Sequence, residues 1–305
     1  MELREHRGTV PGPAGQPLPL YGWSAEVPER GRLVAVHGIG GHGGQFRGLA
    51  EHLAPRGWTV WAPDLPGHGH APGPRGWVAD WTELGQAVGA ALNCGREEAP
   101  ARPQVLLGHS LGGAVCLDLV LRMPAAAAGL GGLVLTNPAL DAAGIAAWRV
   151  WVARWLSRLW PRLTLDTGID SATSSRDPAA LERYRSDPLR HSRCSARLGA
   201  GFLDVAAGLL GRAAELRLPL LMLQSGDDRV TAAAVSERFF SAAGSGDKTW
   251  RLYPESRHEL FDDLDRDVVM EELACWLEAH GRWPEGVIRA DPAQPPEGLV
   301  SVTSP

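Results

Sequence analysis

Short hydrophobic runs alternate with longer amphipathic stretches along most of the chain. Aliphatic and β-branched runs predict buried strands at 33–36, 58–62, 105–107, 133–136, 220–224 and 249–253. Helical spacing of apolar residues predicts helices at 45–54, 80–93, 112–122, 232–242 and 266–279. Strands that alternate with helices are typical of a mostly parallel sheet covered by helices on both faces, so the predicted fold class is α/β.

The alternation stops between residues 139 and 215, where the pattern is helical and contains no convincing strand. It then resumes over 216–282, as if the chain returned to the same sheet. This interruption predicts a helical cap, or lid, over 139–215, inserted between two parts of one core, 1–138 and 216–282. The proline-rich residues 283–305 are predicted to form a flexible tail.

Composition narrows the class of protein. The chain has 305 residues, of which 44% are hydrophobic and 21% charged, as in globular proteins. Acids exceed bases by 35 to 30, so we expect no nucleic-acid partner. Four dispersed cysteines without a CxxC pair, and the lack of a signal peptide or a long apolar run, predict a reduced protein of the cytoplasm.

One serine lies at a turn between a predicted strand and a predicted helix. The segment Gly108-His109-Ser110-Leu111-Gly112 follows strand 105–107 directly and leads into helix 112–122. Small neighbours permit a sharp turn, and a helix N-terminus places free N–H groups beside the hydroxyl. The context therefore predicts a nucleophile elbow with Ser110 as the nucleophile.

A serine nucleophile needs a base, and the base needs a group that orients it. In a parallel-sheet hydrolase both partners come later in the chain, each directly after a strand. His258 follows the last predicted strand and Asp228 the strand before it, which predicts the triad Ser110, Asp228 and His258. Asp227 and the earlier Asp141 remain alternatives for the acid.

The transition state also needs two N–H donors for its developing oxyanion. The amide of Leu111 follows the nucleophile directly. The glycine-rich loop after strand 33–36 would bring a second amide, that of Ile39, against the serine. His68 and His70 lack a Cys or carboxylate at ligand spacing, so neither a metal nor a cofactor is predicted.

These motifs resemble the α/β-hydrolases of the monoacylglycerol lipase and lysophospholipase type, which are serine aminopeptidase S33-like hydrolases. The resemblance runs from about residue 20 to residue 280. It rests on the segments His37–Gly40, Asp64–Gly69, Gly108–Gly113, Asn137–Pro138, Leu163–Asp166 and Tyr184–Leu189. It implies the α/β-hydrolase fold, with Ser110, Asp228 and His258 as the triad and Ile39 and Leu111 as the oxyanion donors.

Two positions depart from the glyceride lipases that the chain resembles. Those enzymes carry an acidic residue and an arginine facing glycerol where this chain has Gly41 and Gln45. The resemblance therefore places both positions next to the substrate alcohol, while the missing charges weaken the case for monoacylglycerol as the preferred ester.

A tryptophan stripe in the predicted cap bears on the acyl side of the substrate. Trp148, Trp151 and Trp155 recur at helical spacing and are followed by Leu159. Such a stripe commonly packs a cap onto its core. It would alternatively line an acyl-chain pocket, or contact a membrane surface transiently with Arg149, Arg154 and Arg158 toward the headgroups.

The sequence thus predicts a serine hydrolase of lipid-like carboxylic esters, of the monoacylglycerol or lysophospholipid type, that acts through an acyl-enzyme. Its partner is a small-molecule ester with an acyl chain. A thioesterase, an aryl esterase or a C–C bond hydrolase would use the same triad. A non-catalytic binding protein with this fold is the remaining alternative.

Overall fold

An eight-stranded sheet forms the centre of the molecule in a computed structural model, which describes residues 2–98, 102–141 and 147–280. Its strands are β1 (Leu3–Pro11), β2 (Pro17–Ala25), β3 (Gly31–Val36), β4 (Trp58–Pro63), β5 (Gln104–His109), β6 (Leu130–Thr136), β9 (Leu220–Ser225) and β10 (Lys248–Tyr253). Their order across the sheet is β1-β2-β4-β3-β5-β6-β9-β10. All neighbours from β4 to β10 are parallel, whereas β2 pairs antiparallel with both β1 and β4.

Eight helices of seven residues or more surround this sheet and its insertion within the described residues. They are α1 (Arg47–Leu53), α2 (Thr82–Glu98), α3 (Leu111–Arg122), α5 (Ala147–Leu159), α6 (Pro178–Ser186), α7 (Ala196–Leu209), α8 (Ala233–Ala242) and α9 (Arg266–His280), with a short α4 (Pro124–Ala127) after α3. Each helix predicted from the sequence is present with ends shifted by a few residues. None of the described helices is long and apolar enough to cross a membrane.

Alternate residues of the central strands pack into two separate hydrophobic clusters, because neighbouring side chains of a strand point to opposite faces. On β3, Val34 and Val36 join the cluster that contains α2, α3 and α8, whereas Leu33 and Ala35 join the one that contains α1 and α9. Both faces of the sheet are therefore covered, and the predicted α/β class with a mostly parallel sheet is confirmed.

Two strands at the start of the chain were not predicted. The hairpin of β1 and β2 extends the sheet antiparallel at its edge. Strand β1 is exposed along most of its length and carries charged side chains, so it has no hydrophobic run for a pattern to find.

Between β6 and β9 the chain adds no strand to the large sheet within its described residues. It forms α5, α6, α7 and a two-stranded antiparallel ribbon of β7 (Thr164–Asp166) and β8 (Arg193–Ser195). The prediction that 139–215 lacks strands is wrong at this ribbon, since three residues are too few to show alternation. The predicted tail, 283–305, lies outside the described residues.

Candidate active site

The backbone at Ser110 has an unusual conformation. Ser110 lies between β5 and α3 with φ 54° and ψ −120°, a region that side-chain-bearing residues rarely occupy. Its N–H donates to Thr136 O at 3.0 Å, and its own carbonyl accepts from Gly113 N and Ala139 N. Strain of this kind concentrates at functional sites, where the surrounding structure holds it in place.

Close backbone contacts explain the glycines around this turn. A Cβ at position 108 would lie 2.6 Å from Gly112 O, and one at position 112 would lie 2.3 Å from Val36 O. The tight approach of helix α3 to strands β3 and β5 therefore requires glycine at both positions. The elbow geometry predicted from the sequence is present.

His258 and Asp228 form a buried pair close to Ser110. Asp228 follows β9 and His258 follows β10, and His258 Nδ1 lies 2.8 Å from Asp228 Oδ2. Ser110 and His258 both line one small cavity. With Nδ1 engaged by the carboxylate, Nε2 is the ring nitrogen that remains to accept a proton.

Hydrogen bonds hold the Asp228 carboxylate in its ionised form. Burial alone would raise its pKa, but hydrogen bonds from His258, from Thr231 Oγ1 at 2.6 Å and from Val230 N at 2.7 Å outweigh it, and the pKa is lowered. The charge needed to orient His258 is thus present over the neutral range.

The two alternative acids lie elsewhere. Asp227 is about half exposed and pairs with Arg229 at 3.6 Å and Arg257 at 3.5 Å. Asp141 lines the larger cavity that Ser110 also lines, but within the described residues the His258 ring bonds Asp228 and not Asp141. The geometry therefore favours Asp228 as the partner of His258.

Two amides near Ser110 are available as oxyanion donors. Ile39 and Leu111 line the same cavity as Ser110, and neither N–H donates to an acceptor within the described residues. The Leu111 amide begins α3, where helical N–H groups have no intrahelical acceptor. The loop before Ile39 approaches the serine closely, since a Cβ on Gly38 would lie 3.0 Å from Ser110 Cβ.

Buried polar side chains fix the loop that carries Ile39. His37 Nδ1 hydrogen-bonds Gly38 O at 2.8 Å, while its Nε2 accepts from Leu65 N at 3.1 Å. Asp64 accepts from Gly43 N and from His70 N, both at 2.7 Å. Both residues therefore pin loops together and do not contact the reacting groups. The described residues contain no cluster of ligands that would hold a metal ion.

Asn137 is a supporting residue whose role was not predicted. Its Nδ2 donates to His258 O at 2.6 Å and to Ser225 Oγ at 2.8 Å, and its Oδ1 accepts from Ser225 N at 2.8 Å. Asn137 thus joins the end of β6 to the end of β9 and to the histidine loop. Its position directly after a strand was the available signal, and its φ of 43° agrees with a specialised turn.

A second carboxylate lies next to the His258–Asp228 pair. Glu259 Oε1 accepts from Arg190 Nη2 at 2.8 Å, and its Oε2 lies 3.3 Å from His109 Nε2. The His109 ring is in turn 4.8 Å from the His258 ring, centre to centre. Burial opposes ionisation of Glu259, but His109 and Arg190 outweigh it and hold its pKa well below the usual value.

The Arg190 pair belongs to a set of ion pairs between the insertion and the segment around His258. These pairs are Arg176–Asp263, Arg183–Asp262, Arg190–Glu259 and Arg266–Asp177. The backbone adds Glu259 N donating to Ser174 O at 2.9 Å. This half of the insertion is therefore fastened to the histidine loop.

Two cavities meet at Ser110. The larger has a volume of about 910 Å³ and a mainly apolar wall, to which helix α5 contributes Val152 and Leu156 and helix α7 contributes Phe202 and Leu203. The smaller, of about 220 Å³, has a more polar wall that includes Arg190, His258 and Glu259. Ser110 and Ile39 line both cavities, so an ester carbonyl at Ser110 has an apolar space on one side and a polar space on the other.

The tryptophan stripe is divided between the cavity and the outer surface. Trp148 lines the larger cavity and is also 64% exposed. Trp151 and Trp155 are 61% and 48% exposed, contact each other at 5.7 Å between ring centres, and lie outside both cavities. The α5 residues that line the larger cavity are Trp148, Val152, Ala153 and Leu156, so Trp151 and Trp155 do not have the position predicted for them.

Gly41 and Gln45 lie away from both cavities. The Gln45 side chain accepts from His42 N at 3.3 Å, and a Cβ on Gly41 would lie 2.4 Å from Gln45 Oε1. The two residues pack against each other and stabilise the turn that follows Ile39. The structure gives neither a place beside a substrate in the cavities that adjoin Ser110.

The site combines a strained serine, a buried histidine–aspartate pair and two amides that have no acceptor within the described residues. This arrangement is suited to acyl transfer by nucleophilic attack. They lie at the carboxyl ends of parallel strands, where open α/β sheets place their ligands. By its fold and this site, the protein is a serine hydrolase with the α/β-hydrolase fold.

Comparisons with known proteins agree. The family model described as Hydrolase_4, serine aminopeptidase, S33, matches residues 27–265, and the chain belongs to this family. It is 28% identical over 260 residues to the monoacylglycerol lipase of Mycolicibacterium smegmatis, covering 85% of this chain and 91% of that protein. It is 27% identical over 274 residues to the phospholipase YtpA of Bacillus subtilis, covering 86% of this chain and all of that one (100%).

A solved structure is similar over nearly the whole chain. The crystal structure of Paleococcus ferrophilus monoacylglycerol lipase superposes with a TM-score of 0.76 at 31% sequence identity, covering 92% of this chain and 100% of that one. The family resemblance seen in the sequence is confirmed.

Proposed function

We propose that the protein hydrolyses carboxylic esters of lipid-like alcohols, of the monoacylglycerol or lysophospholipid type. The large apolar cavity that opens onto Ser110 carries this proposal. Burial of each methylene of an acyl chain is worth about 0.8 kcal/mol, so a wall of this kind favours an acyl group over a short acid. The relatives named as a monoacylglycerol lipase and a phospholipase support the same class of substrate.

The proposed reaction has two halves. Ser110 Oγ attacks the ester carbonyl while His258 Nε2 takes the hydroxyl proton, and the oxyanion accepts hydrogen bonds from the Ile39 and Leu111 amides. The tetrahedral intermediate collapses, His258 returns the proton to the leaving alcohol, and an acyl-enzyme remains. Water then repeats the attack with the same base, which releases the fatty acid and restores Ser110.

Asp228 orients His258 and stabilises its charged form in this scheme. Its hydrogen bond to Nδ1 selects the tautomer of His258 with Nε2 unprotonated, and its negative charge stabilises the imidazolium formed during attack. The ion pairs and the Asn137 bond described above keep the histidine loop in place, so little reorganisation is needed when the charge develops.

We further propose that the insertion covers the acyl cavity as a cap and rests on a lipid surface. The aromatic cap patch, defined as Trp148, Trp151, Trp155, Leu159, Trp160 and Leu165, has every member at least 48% exposed. Trp148 and Leu165 also line the larger cavity, so the patch adjoins its mouth. Tryptophan favours the boundary between headgroups and acyl chains, and Arg154 and Arg158 are exposed beside the patch. A location in the cytoplasm stays a prediction from the cysteine pattern.

A substrate panel tests the proposed function. We expect turnover of glyceryl esters with kcat/KM rising from butanoyl to decanoyl, and labelling of Ser110 by a fluorophosphonate. Matched acyl thioesters and aryl esters compare the alternatives that share the triad. Labelling without turnover of any oxygen ester, or better turnover of thioesters, would contradict the proposal.

A further inference from the structure

The smaller cavity differs in chemistry from the acyl cavity on the other side of Ser110. Its volume is about 220 Å³, below the range of about 300–1,000 Å³ that is typical of pockets for drug-sized ligands. Its wall is polar and includes Arg190, His191 and Ser192 from the insertion, together with His258. A short polar group attached to the ester carbonyl would therefore lie there, within reach of the histidine that must protonate it.

Arg190 is the charged donor in this wall. Its Nη2 donates to Glu259 at 2.8 Å, and its guanidinium lies over the Tyr184 ring at 3.9 Å from the ring centre. Its Nε and Nη1 groups make no hydrogen bond within the described part of the chain. The guanidinium is held by two contacts and still has N–H donors to offer in a cavity that the side chain lines.

The two charged side chains that line this cavity, Arg190 and Glu259, pair with each other. Glu259 neutralises Arg190 directly, and burial lowers the pKa of His191, which is therefore neutral at pH 7. Asp262, the next acid along the loop, pairs with Arg183. A phosphate would compete with Glu259 for the Arg190 guanidinium, and a quaternary ammonium would lie against the guanidinium. An uncharged hydroxyl group meets neither penalty.

We propose that the smaller cavity is the leaving-group subsite, that it accepts an uncharged, hydroxylated alcohol, and that Arg190 is its specificity-determining residue. This inference rests on the proposed ester hydrolysis. It distinguishes the two types of substrate proposed there, because it favours acylglycerols over esters with a phosphorylated alcohol. Arg190 donates hydrogen bonds to the alcohol hydroxyls, and Glu259 fixes the guanidinium in the orientation that makes this possible.

Three esters that share the octanoyl group and differ in the alcohol test the inference. They are 1-octanoylglycerol, 1-octanoylglycerol 3-phosphate and ethyl octanoate. For the parent protein we expect kcat/KM for the glyceryl ester to exceed both others by at least about tenfold, since hydrogen bonds from a charged donor discriminate to about that extent. In Arg190→Met we expect the ratio of glyceryl to ethyl ester to fall to within threefold of one, and this ratio, not the absolute rate on either ester, is the readout.

Two further variants separate specificity from folding. Arg190→Met with Glu259→Gln removes both charges, so that no buried carboxylate is left unpaired, and it should lose the preference in the same way. Arg183→Met breaks another ion pair between the insertion and the histidine loop but lies outside the cavity, and it should keep the parent ratio.

An unchanged ratio in both Arg190 variants would overturn the inference, as would an equal loss of the ratio in Arg183→Met or a parent preference for the phosphorylated ester. Failure of the proposed function has a different signature, the absence of turnover of all three esters, and would remove both proposals.

Discussion

Arg190 of the insertion and Glu259, the residue directly after His258, form a buried ion pair with 2.8 Å between Nη2 and Oε1. The pair joins two segments that are 69 residues apart in the chain. It also places a fixed carboxylate near His258, because Glu259 contacts His109 and the His109 ring packs on the His258 ring. The Glu259 side chain thereby links the position of the insertion to the position of His258.

We expect Glu259→Gln to destabilise the protein in a pH-dependent way. The variant leaves the buried guanidinium without a counter-charge, which typically costs about 3–5 kcal/mol. The folded pKa of Glu259 lies below its ordinary value of 4.5, so the pair contributes its full stability above pH 4.5 and loses it as the pH falls through the lowered folded value. Urea unfolding at pH 7, 5 and 3.5 measures the difference between parent and variant.

The difference in the free energy of unfolding should be constant between pH 7 and 5 and should shrink at pH 3.5. Arg190→Met combined with Glu259→Gln should recover most of the lost stability, because neither charge then remains buried alone. A difference that grows toward acid pH would show that Glu259 is protonated in the folded protein.

The sheet could be predicted from local signals in the sequence, and so could the positions of Ser110 and His258 at strand ends. Ser110 lies between a hydrophobic strand and a glycine-rich helix start, and His258 directly follows a strand end. Parallel strands bring their carboxyl ends to one edge, so topology alone placed these residues together.

Contacts between segments that are far apart in the chain could not be predicted from local signals. Arg190 and Glu259 meet only through the packing of the insertion, and nothing in their surroundings marks them as partners. The stripe around Trp151 shows a similar limit. Helical spacing defined an apolar stripe on α5, but Val152 and Leu156 outside that stripe line the cavity, whereas Trp151 and Trp155 within it are exposed.

Replacement of the candidate nucleophile tests the core of the proposed mechanism. We expect Ser110→Ala to lower kcat for ester hydrolysis by about 10⁴–10⁶, because the other groups act through the serine oxygen. Circular dichroism and the Tm should match the parent, since the exchange removes one oxygen and keeps the backbone. Residual activity within tenfold of the parent would show that another residue carries the reaction.

The two neighbouring aspartates provide a matched comparison. Asp228→Asn should lower kcat by about 10⁴, because an amide at that position orients His258 in the wrong tautomer. Asp227→Asn should change kcat less than threefold, since within the described residues its carboxylate pairs with Arg229 and Arg257 and not with His258. Steady-state kinetics of both variants on one glyceryl ester decides the assignment, and a larger loss at Asp227 would reverse it.

The aromatic cap patch should control partition to lipid and leave the chemistry unaltered. For Trp151→Ser with Trp155→Ser we expect at least a tenfold loss of binding to phosphatidylcholine–phosphatidylglycerol vesicles in a sedimentation assay, because two exposed aromatic anchors are removed. Hydrolysis of a soluble butanoyl ester should stay within twofold of the parent. Trp250→Ser, in strand β10 on the core, is the control that should keep vesicle binding.

The side of α5 that faces the cavity should instead set the acyl length. Leu156 lines the larger cavity, and Leu156→Trp adds an indole to the space that an acyl chain would fill. Exclusion of two methylenes costs about 1.6 kcal/mol, or roughly fifteenfold in kcat/KM. We therefore expect the variant to lose about that factor on dodecanoyl esters while butanoyl esters, which end short of the side chain, are cleaved at the parent rate.

Trp151→Ala, earlier in the same helix and facing outward, should keep the parent profile on soluble esters. A series from butanoyl to dodecanoyl, measured below the critical micelle concentration, separates the two variants. If Trp151→Ala altered the length preference and Leu156→Trp did not, the acyl chain would have to lie on the other side of the helix.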